Sequence, residues 1–555
     1  MPEVIKEVPP IWTTGWTDIL NTGTWRSAVP VHKKRPAPCH KACPVEGEIP
    51  VWTQLVKAEK YQEAWLALAA NNPFPAVTGR VCHHPCEGSC NRGEYDGAVA
   101  INALEHYVGD LALQEGWSLP KPEKEREQRV LVIGAGPAGL SCAYRLRLEG
   151  YQVTVFEEKP EAGGVLRYGI PQYRLPKAVL AGEIKRLQEL GISIETGRRF
   201  ESYELEQYEQ EYDAVFLAIG AGKAKSLPQF PSDKRVLNGL EFLARANQND
   251  TIALGQQVVV VGGGSVAMDV ARTARRLGSY VTVLALEDGE HLPAQTDEVT
   301  GALEEGIAIT GGAMVQEVQS SERGLGLACV KVNLDPEAPP GVLKPVVVPG
   351  SEFSLIADQV ILAIGQDPET DVWNHLLPVK QTLFQIKPDF STDRPGVFAG
   401  GDDASAERYV SSAIGQGKMA ARSIARYLTG GSGSVDEEIV SLEEPVPFKD
   451  INTFYFPSQS RDYKGTTAAE QRVRDFSEVK TGFSSDQALA QAERCFSCGS
   501  CIECDNCFYF CPDMAVVKDA TLEEHYRILD QYCKGCGSCV EECPRGAVVL
   551  KEESR

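Results

Sequence analysis

Two stretches of the chain interleave short apolar runs with helical periodicity. Val130-Leu-Val-Ile133 reads as a buried strand, a helical stretch follows, and Gln152-Val-Thr-Val-Phe156 reads as the next strand. The same order recurs as Gln257-Val-Val-Val-Val261, a helix, and Tyr280-Val-Thr-Val-Leu-Ala285. Strands alternating with helices predict parallel sheets of the α/β type. Two further apolar segments share one shape, Asp213–Gly220 and Asp358–Gly365. Residues 51–70 read as a pair of amphipathic helices, and the polar run 126–129 ends a charged connector. Gly430-Gly-Ser-Gly-Ser434 reads as a flexible tether, with few helical signals between it and residue 484.

The turns after the two strand runs carry chemistry. The first is Gly134-Ala-Gly136-Pro137-Ala138-Gly139, and its second strand ends in Glu157. Gly134 allows the tight turn, Gly136 lets backbone approach a pyrophosphate, and Gly139 lets helix and strand pack closely. The helix N-terminus attracts phosphate, and Glu157 can accept from ribose hydroxyls. The second turn is Gly262-Gly263-Gly264-Ser265-Val266-Ala267, with Ala267 in the third glycine position. Its second strand ends at Leu286-Glu287-Asp288 with no basic residue. An acidic group there favours a ribose 2′-hydroxyl and repels a 2′-phosphate, which predicts NADH rather than NADPH.

Cysteine placement divides the chain. Of 17 cysteines, five lie between Cys39 and Cys90 and ten between Cys495 and Cys543. Only Cys142 and Cys329 fall between, and they read as small core residues. The middle has no CxxC or CxxxxC, which argues against a flavin disulfide reductase. Near the C-terminus the unit CxxCxxCxxxCP occurs twice, the bacterial ferredoxin spacing. In that spacing the remote CP cysteine completes the other cluster. Cys501, Cys504, Cys507 and Cys543 are therefore expected to hold one 4Fe–4S cluster, and Cys533, Cys536, Cys539 and Cys511 a second. Cys495 and Cys498 are surplus: free thiols, another metal site or a redox pair. In the N-terminal group, Cys39, Cys43, Cys82, Cys86 and Cys90 exceed one cluster and fall short of two, with His32, His40, His83 and His84 close by.

Composition narrows the class further. The 555 residues carry 55 basic and 77 acidic side chains, a net charge of −22, which argues against nucleic acid and anionic membrane as partners. No apolar run reaches the length of a membrane span. The opening MPEVIKEVPPIWTTGW lacks the pattern of a signal peptide, so a reducing, cytoplasmic location is expected and the thiols are read as metal ligands or redox groups.

Several motifs together resemble a known family. They are Asn72-Pro-Phe-Pro with Gly79-Arg-Val-Cys82, and Gly163-Gly164-Val-Leu-Arg167-Tyr-Gly169-Ile170-Pro171 with Arg174-Leu-Pro176. Gly263-Gly264-Ser-Val-Ala-Met-Asp269 with Ala271-Arg-Thr273 completes the set. The chain resembles the small-subunit family of glutamate synthase and its relatives, which include the N-terminal half of dihydropyrimidine dehydrogenase. The resemblance implies FAD at the first turn and a pyridine nucleotide at the second. The segments ending in Gly220 and Gly365 resemble the strands that return between domains in such flavoproteins. Gly396-Val-Phe-Ala-Gly-Gly401-Asp402 resembles the strand and turn whose aspartate binds the FAD ribityl chain. The helix opening at Ser411-Ser412-Ala413 would point its N-terminus at the flavin. Gly164, Arg167, Gly169 and Ile170 would lie near the same ring.

The resemblance also implies a metal pattern, with two departures. The family's N-terminal domain usually holds two 4Fe–4S clusters and needs a CxxC just before Cys39. Here that stretch is Pro30-Val-His-Lys-Lys-Arg-Pro36. One cluster would use Cys43, Cys82, Cys86 and Glu105, with Cys90 as a competing fourth ligand; Cys39 and Cys90 would be remnants of the other. One N-terminal cluster, or two, is thus expected. In NADPH-using relatives the nucleotide strand ends in two arginines, where this chain has Leu286 and Glu287. The ferredoxin-like tail is similar to subunits of 2-oxoacid:acceptor oxidoreductases, and flavoproteins with this layout accompany dissimilatory sulfite reductases.

The expected architecture is a helical iron–sulfur domain (1–125), a flavin domain (126–250 and 361–430) with a nucleotide domain inserted (251–360), a linker (431–490) and an α+β ferredoxin-like domain (491–555). The expected function is an NADH:acceptor oxidoreductase that exchanges electrons with a redox protein, either a ferredoxin or the catalytic subunit of a complex. The alternatives are a glutamate synthase small subunit using NADPH and a non-catalytic electron-wiring subunit. No acid–base triad is expected, because the cofactors carry the chemistry.

Overall fold

The valine-rich runs form parallel strands buried on both faces, so alternation is not needed. In the computed structural model, which describes residues 26–248, 250–322, 324–339, 343–431, 444–522 and 525–553, two such five-stranded sheets stand in the middle of the chain. The first has the order Val397–Ala399, Ala214–Leu217, Arg129–Ile133, Gln152–Glu157, Ser193–Thr196. The second has the order Ala308–Thr310, Tyr280–Leu284, Gln257–Val261, Gln359–Leu362, Val236–Asn238. Every neighbouring pair in both is parallel.

Two expected boundaries move. Val236–Asn238 and Gln359–Leu362 pair with each other in the second sheet, so the unit expected over 251–360 reaches beyond those bounds on both sides. The segments at 213–220 and 358–365 look alike in sequence. Only their pairing partners, which are distant in the chain, assign them to different sheets.

The N-terminal helices include Ile49–Lys57 and Tyr61–Ala69, the pair expected at 51–70, followed by Pro75–Val81 and Ile101–Gln114. The last two cross almost backbone to backbone. A Cβ at Gly79 would stand 2.4 Å from the backbone of His106, and one at Gly109 would stand 2.4 Å from Ala76 N. That crossing sets Cys82, at the end of one helix, beside Glu105 in the other.

The stretch 431–490 is not a linker where it is described. Val446, Ile451, Phe483 and Ala488 are buried in one core with Trp52, Trp65 and Leu104 of the N-terminal helices, and Ala492 and Phe496 just beyond the stretch join them. Its helix Ser485–Glu493 opens with a capping box, Ser484 with Gln487, which satisfies two otherwise unpaired backbone donors. The polar residues between these anchors hide the burial, since the apolar ones are too sparse to show a period. The tether at 430–434 falls mostly outside the described residues, as do residues 1–25.

The tail pairs Val516–Lys518 with Tyr526–Ile528. A second antiparallel pair joins Ala28–His32 to Val548–Glu552. Among the described residues no helix is long and apolar enough to cross a membrane.

Candidate functional site

The first glycine turn is built for close approach. Gly134 has φ of 103°, and a Cβ on it would stand 2.2 Å from Ala218 O; one on Gly139 would stand 1.9 Å from Gly134 O. A Cβ on Gly136 meets nothing within 4 Å, so the turn is open on the side where a pyrophosphate is expected. The helix Pro137–Leu148, with Ala138 in its first turn, starts there. Gly164 faces the same turn, with its Cβ position 2.9 Å from Gly136 Cα. Glu157 is buried, and its two carboxylate oxygens accept from Ala135 N and Lys159 N, both at 2.9 Å. Burial raises its carboxyl pKa.

The far end of this site is formed by Gly401, Asp402 and the helix Val410–Leu428. Gly417 of that helix lies against the first one, where a Cβ would stand 2.1 Å from Ala138 O. Gln416 accepts from Gly401 N at 2.8 Å. Burial pushes the Asp402 carboxyl up to about 6, with Arg408 pulling the other way. Its neighbour Asp403, missed from the sequence, is fully buried and accepts from Ile219 N at 2.7 Å. Its only signal is a second acid after the Gly-Gly turn. Ser412 and Ala413 are buried in the first turn of Val410–Leu428. Arg167, Gly169 and Ile170 lie around the short helix Val165–Tyr168; Arg167 donates to Ala162 O at 2.8 Å. Gly220 has φ of 68° and Gly365 of 97°; they end the two like segments, one on each sheet.

The second turn repeats the first. Gly262 has φ of 137°, and its Cβ would stand 2.3 Å from Ala363 O, while Gly264 is open. Ser265 and Val266 start the helix Ser265–Arg276. Glu287 folds back over the turn, so that a Cβ at Gly263 would stand 2.8 Å from its Oε2. Asp288 is turned away and holds His291 at 2.8 Å. The two sites are tied by Arg174, which reaches Asp269 and Glu298, each at 2.6 Å.

The thiols fall into groups. Cys43, Cys82, Cys86 and Glu105 lie near one another: the charges of Glu105 and Cys43 act on Cys82, and those of Cys43 and Cys82 on Cys86. Burial pushes the Cys82 thiol up to about 12 and Glu105 up to about 7. Glu105 Oε1 accepts from Thr78 Oγ1 at 2.8 Å and Asn72 Nδ2 at 2.9 Å. This group rests on the helix Val410–Leu428, where a Cβ at Gly415 would stand 2.1 Å from Pro44 O. In the tail, Cys501, Cys504, Cys507 and Cys543 line one cavity. The charges of Cys511, Cys533 and Cys536 act together on Cys539. Matching backbone donors reach the two CP sulfurs, Ala515 N to Cys511 Sγ at 3.2 Å and Ala547 N to Cys543 Sγ at 3.4 Å.

The structure separates the histidines. His32 lies 3.5 Å from Cys507 Sγ in the tail, and His40 bonds Gly47 O. Cys39 and Cys90 line a separate cavity, together with Cys495 and Cys498, while the charge of Cys39 also acts on Cys86 of the Glu105 group. Cys142 and Cys329 are buried and isolated, as expected of core residues.

Two parallel sheets, each with an open glycine turn at a helix start, and flanking thiol-rich modules define a class: a two-dinucleotide-domain oxidoreductase with iron–sulfur modules. The chain belongs to the pyridine nucleotide-disulphide oxidoreductase family, which matches residues 128–419. Residues 32–117 match the dihydropyrimidine dehydrogenase domain II 4Fe-4S family, and residues 500–547 a 4Fe-4S dicluster domain. The chain is 36% identical over 503 residues to the NADP(+)-dependent formate dehydrogenase subunit beta of Moorella thermoacetica, covering 83% of this chain and 70% of that one. It is 34% identical to the NAD-dependent dihydropyrimidine dehydrogenase subunit PreT of Escherichia coli K12, covering 71% and 92%. It is 35% identical to the glutamate synthase [NADPH] small chain of Halomonas elongata, covering 70% and 88%. The resemblance to glutamate synthase small subunits therefore holds. The protein is an FAD- and NAD(P)-dependent iron–sulfur oxidoreductase.

Proposed function

We propose that this chain is an NADH:acceptor oxidoreductase, the electron-transfer subunit of a larger redox complex. The observation that carries the nucleotide choice is Glu287 folded over the Gly262–Gly264 turn. A carboxylate there accepts from a ribose 2′-hydroxyl and repels a 2′-phosphate. Relatives of both kinds exist, the Escherichia coli one being named NAD-dependent and the Moorella one NADP(+)-dependent.

FAD, when bound, accepts a hydride and passes on single electrons. Gly134, Gly136 and Gly139 would admit its pyrophosphate, Glu157 and Asp402 its sugar hydroxyls, and the helix at Ser412 and Ala413 its ring end. Gly164, Arg167, Gly169 and Ile170 would close over it. Gly262, Gly263, Gly264, Ser265 and Val266 would seat the nucleotide pyrophosphate. Cys43, Cys82, Cys86 and Glu105 would hold one 4Fe–4S cluster beside the flavin helix. Cys501, Cys504, Cys507 and Cys543 would hold a second, and Cys511, Cys533, Cys536 and Cys539 a third. The family name includes a disulfide, but the only cysteines between 128 and 419 are Cys142 and Cys329, so the exchange would end on a protein partner instead.

The partner is proposed to be a redox protein: a ferredoxin, or the catalytic subunit of a 2-oxoacid:acceptor oxidoreductase or dissimilatory sulfite reductase system. The thiol-rich sites suit a reducing cytoplasm. The test is an anaerobic titration with NADH and, separately, NADPH, following flavin absorbance. Bleaching by NADH alone is expected. Preference for NADPH would support the glutamate-synthase-like reading, and no bleaching by either the electron-wiring one.

A further inference from the structure

The sequence shows a deficit and a surplus of the same size. The CxxC that the resemblance implies before Cys39 is missing, and Cys495-x2-Cys498 has no role in the ferredoxin pattern. Cys495 and Cys498 also lie outside all three stretches matched by known families. In the fold these facts meet, because Cys39, Cys90, Cys495 and Cys498 border one cavity.

The cavity is built as a cluster site would be. Its other walls are largely apolar, with Ile49, Pro50, Val99, Ile101 and Phe496. Cys39 and Cys498 are buried, and Cys90 and Cys495 partly so. Cys39 feels the charge of Cys90, Cys495 and Cys498, and Cys90 and Cys498 each feel that of Cys495. Hydrogen-bond donors already point at sulfur: Asn91 Nδ2 to Cys498 at 3.4 Å and Ser497 N to Cys495 at 3.4 Å. Such donors stabilise thiolates and tune a cluster's potential. The loop is also held firmly. Gly499, at φ of 79°, would carry a Cβ 2.1 Å from Arg35 O, and Gly499 N donates to Arg545 O at 2.7 Å. Among the described residues no three His, Cys, Asp or Glu side chains converge on a point suited to a single ion. These four thiols surround a space, as do the four in the tail.

We propose that Cys39, Cys90, Cys495 and Cys498 hold a further 4Fe–4S cluster, with the CxxC ahead of the tail supplying two of its four ligands. Its position is central. Cys39 and Cys43 sit at the two ends of one turn of helix, Pro38–Ala42 and its cap, so the site adjoins the Cys43 group. On the other side Arg545, two residues after Cys543, donates to Cys495 O at 3.2 Å. The site thus stands between the thiols beside the flavin domain and those of the tail. An electron crossing it enters and leaves singly, with no bond made or broken.

The test compares iron and acid-labile sulfide in anaerobically reconstituted full-length protein. Cys495→Ser/Cys498→Ser is expected to lose about four iron and four sulfide per chain with FAD content unchanged. Cys39→Ser/Cys90→Ser should lose the same amount, and the quadruple variant no more than either pair. Losses that add, unchanged iron, or one zinc in place of the iron would each overturn the assignment. The wild-type protein gives an independent measurement, needing no variant to fold. Cys90 and Cys495 should resist anaerobic alkylation until iron is stripped by a chelator. Alkylation before stripping, or a Cys495–Cys498 disulfide in the native protein, would also overturn it. None of these readouts depends on which nucleotide the enzyme uses.

Discussion

Arg174 donates to Asp269 at 2.6 Å, from the loop after Val165–Tyr168 to the helix of the second glycine turn. The same guanidinium reaches Glu298, and all three side chains are largely shielded from solvent. Removing one partner of a buried pair costs about 3–5 kcal/mol, because the remaining charge is left uncompensated. Arg174→Met is therefore expected to lower the thermal midpoint and to slow flavin bleaching by NADH while FAD content holds. Arg174→Met/Asp269→Asn should recover part of the stability. Equal midpoints for wild type and the single variant would remove the pair from any account of how the two units are held.

Glu287 is expected to set nucleotide choice. Glu287→Arg should reduce the ratio of kcat/KM for NADH over NADPH at least tenfold, about 1.4 kcal/mol. Glu287→Ala should move the ratio the same way by less. Steady-state rates with an artificial acceptor check this, and an unchanged ratio would remove Glu287 from nucleotide recognition.

Gly417 allows the helices Pro137–Leu148 and Val410–Leu428 to touch. In Gly417→Val the new side chain would begin 2.1 Å from Ala138 O, so the helices must part. Overpacking of this kind costs about 1–3 kcal/mol. Because Ala138 stands in the first turn of the helix proposed to face the FAD pyrophosphate, FAD retention should fall too. Flavin stoichiometry after gel filtration would show it; full retention would disconnect this contact from the cofactor.

Lys177 supplies a pH signature. Its ammonium donates to Leu166 O and Ile170 O, yet burial, with Arg167 nearby, lowers its pKa to about 7. The unfolded lysine titrates near about 10.4. Between these values the unfolded chain binds more protons, so this group makes stability rise with pH from about 7 to 10. Below 7 both states are protonated and the contribution is flat. Lys177→Met should remove that rise. Denaturation midpoints for both proteins at pH 6, 7, 8 and 9 check it, and parallel curves would refute it.

What the sequence makes legible is local. Both glycine turns, Glu157, Glu287 and the doubled tail spacing each show themselves within a short stretch of chain, and their chemistry dictates their spacing. Domain edges are less legible, because Asp213–Gly220 and Asp358–Gly365 are alike and differ only in which strands they pair with. The stretch 444–490 passes for a linker for the same reason, its few apolar residues finding their partners among helices near the other end of the chain. The meeting of Cys39 and Cys90 with Cys495 and Cys498 leaves only an arithmetic trace: two cysteines left over at each end. No local pattern could join them.

The pairing of Ala28–His32 with Val548–Glu552 turns the polypeptide into a closed loop. Five rungs of register join two segments from opposite ends of the chain, and Arg26 adds ion pairs to Asp530 and Glu553. The tail is therefore a clasp, not a detachable cassette. Trimming it to obtain a simpler flavoprotein would unfasten the N-terminal helices as well. A chain to be divided in two would best be cut at an exposed loop of the nucleotide unit, leaving the clasp shut.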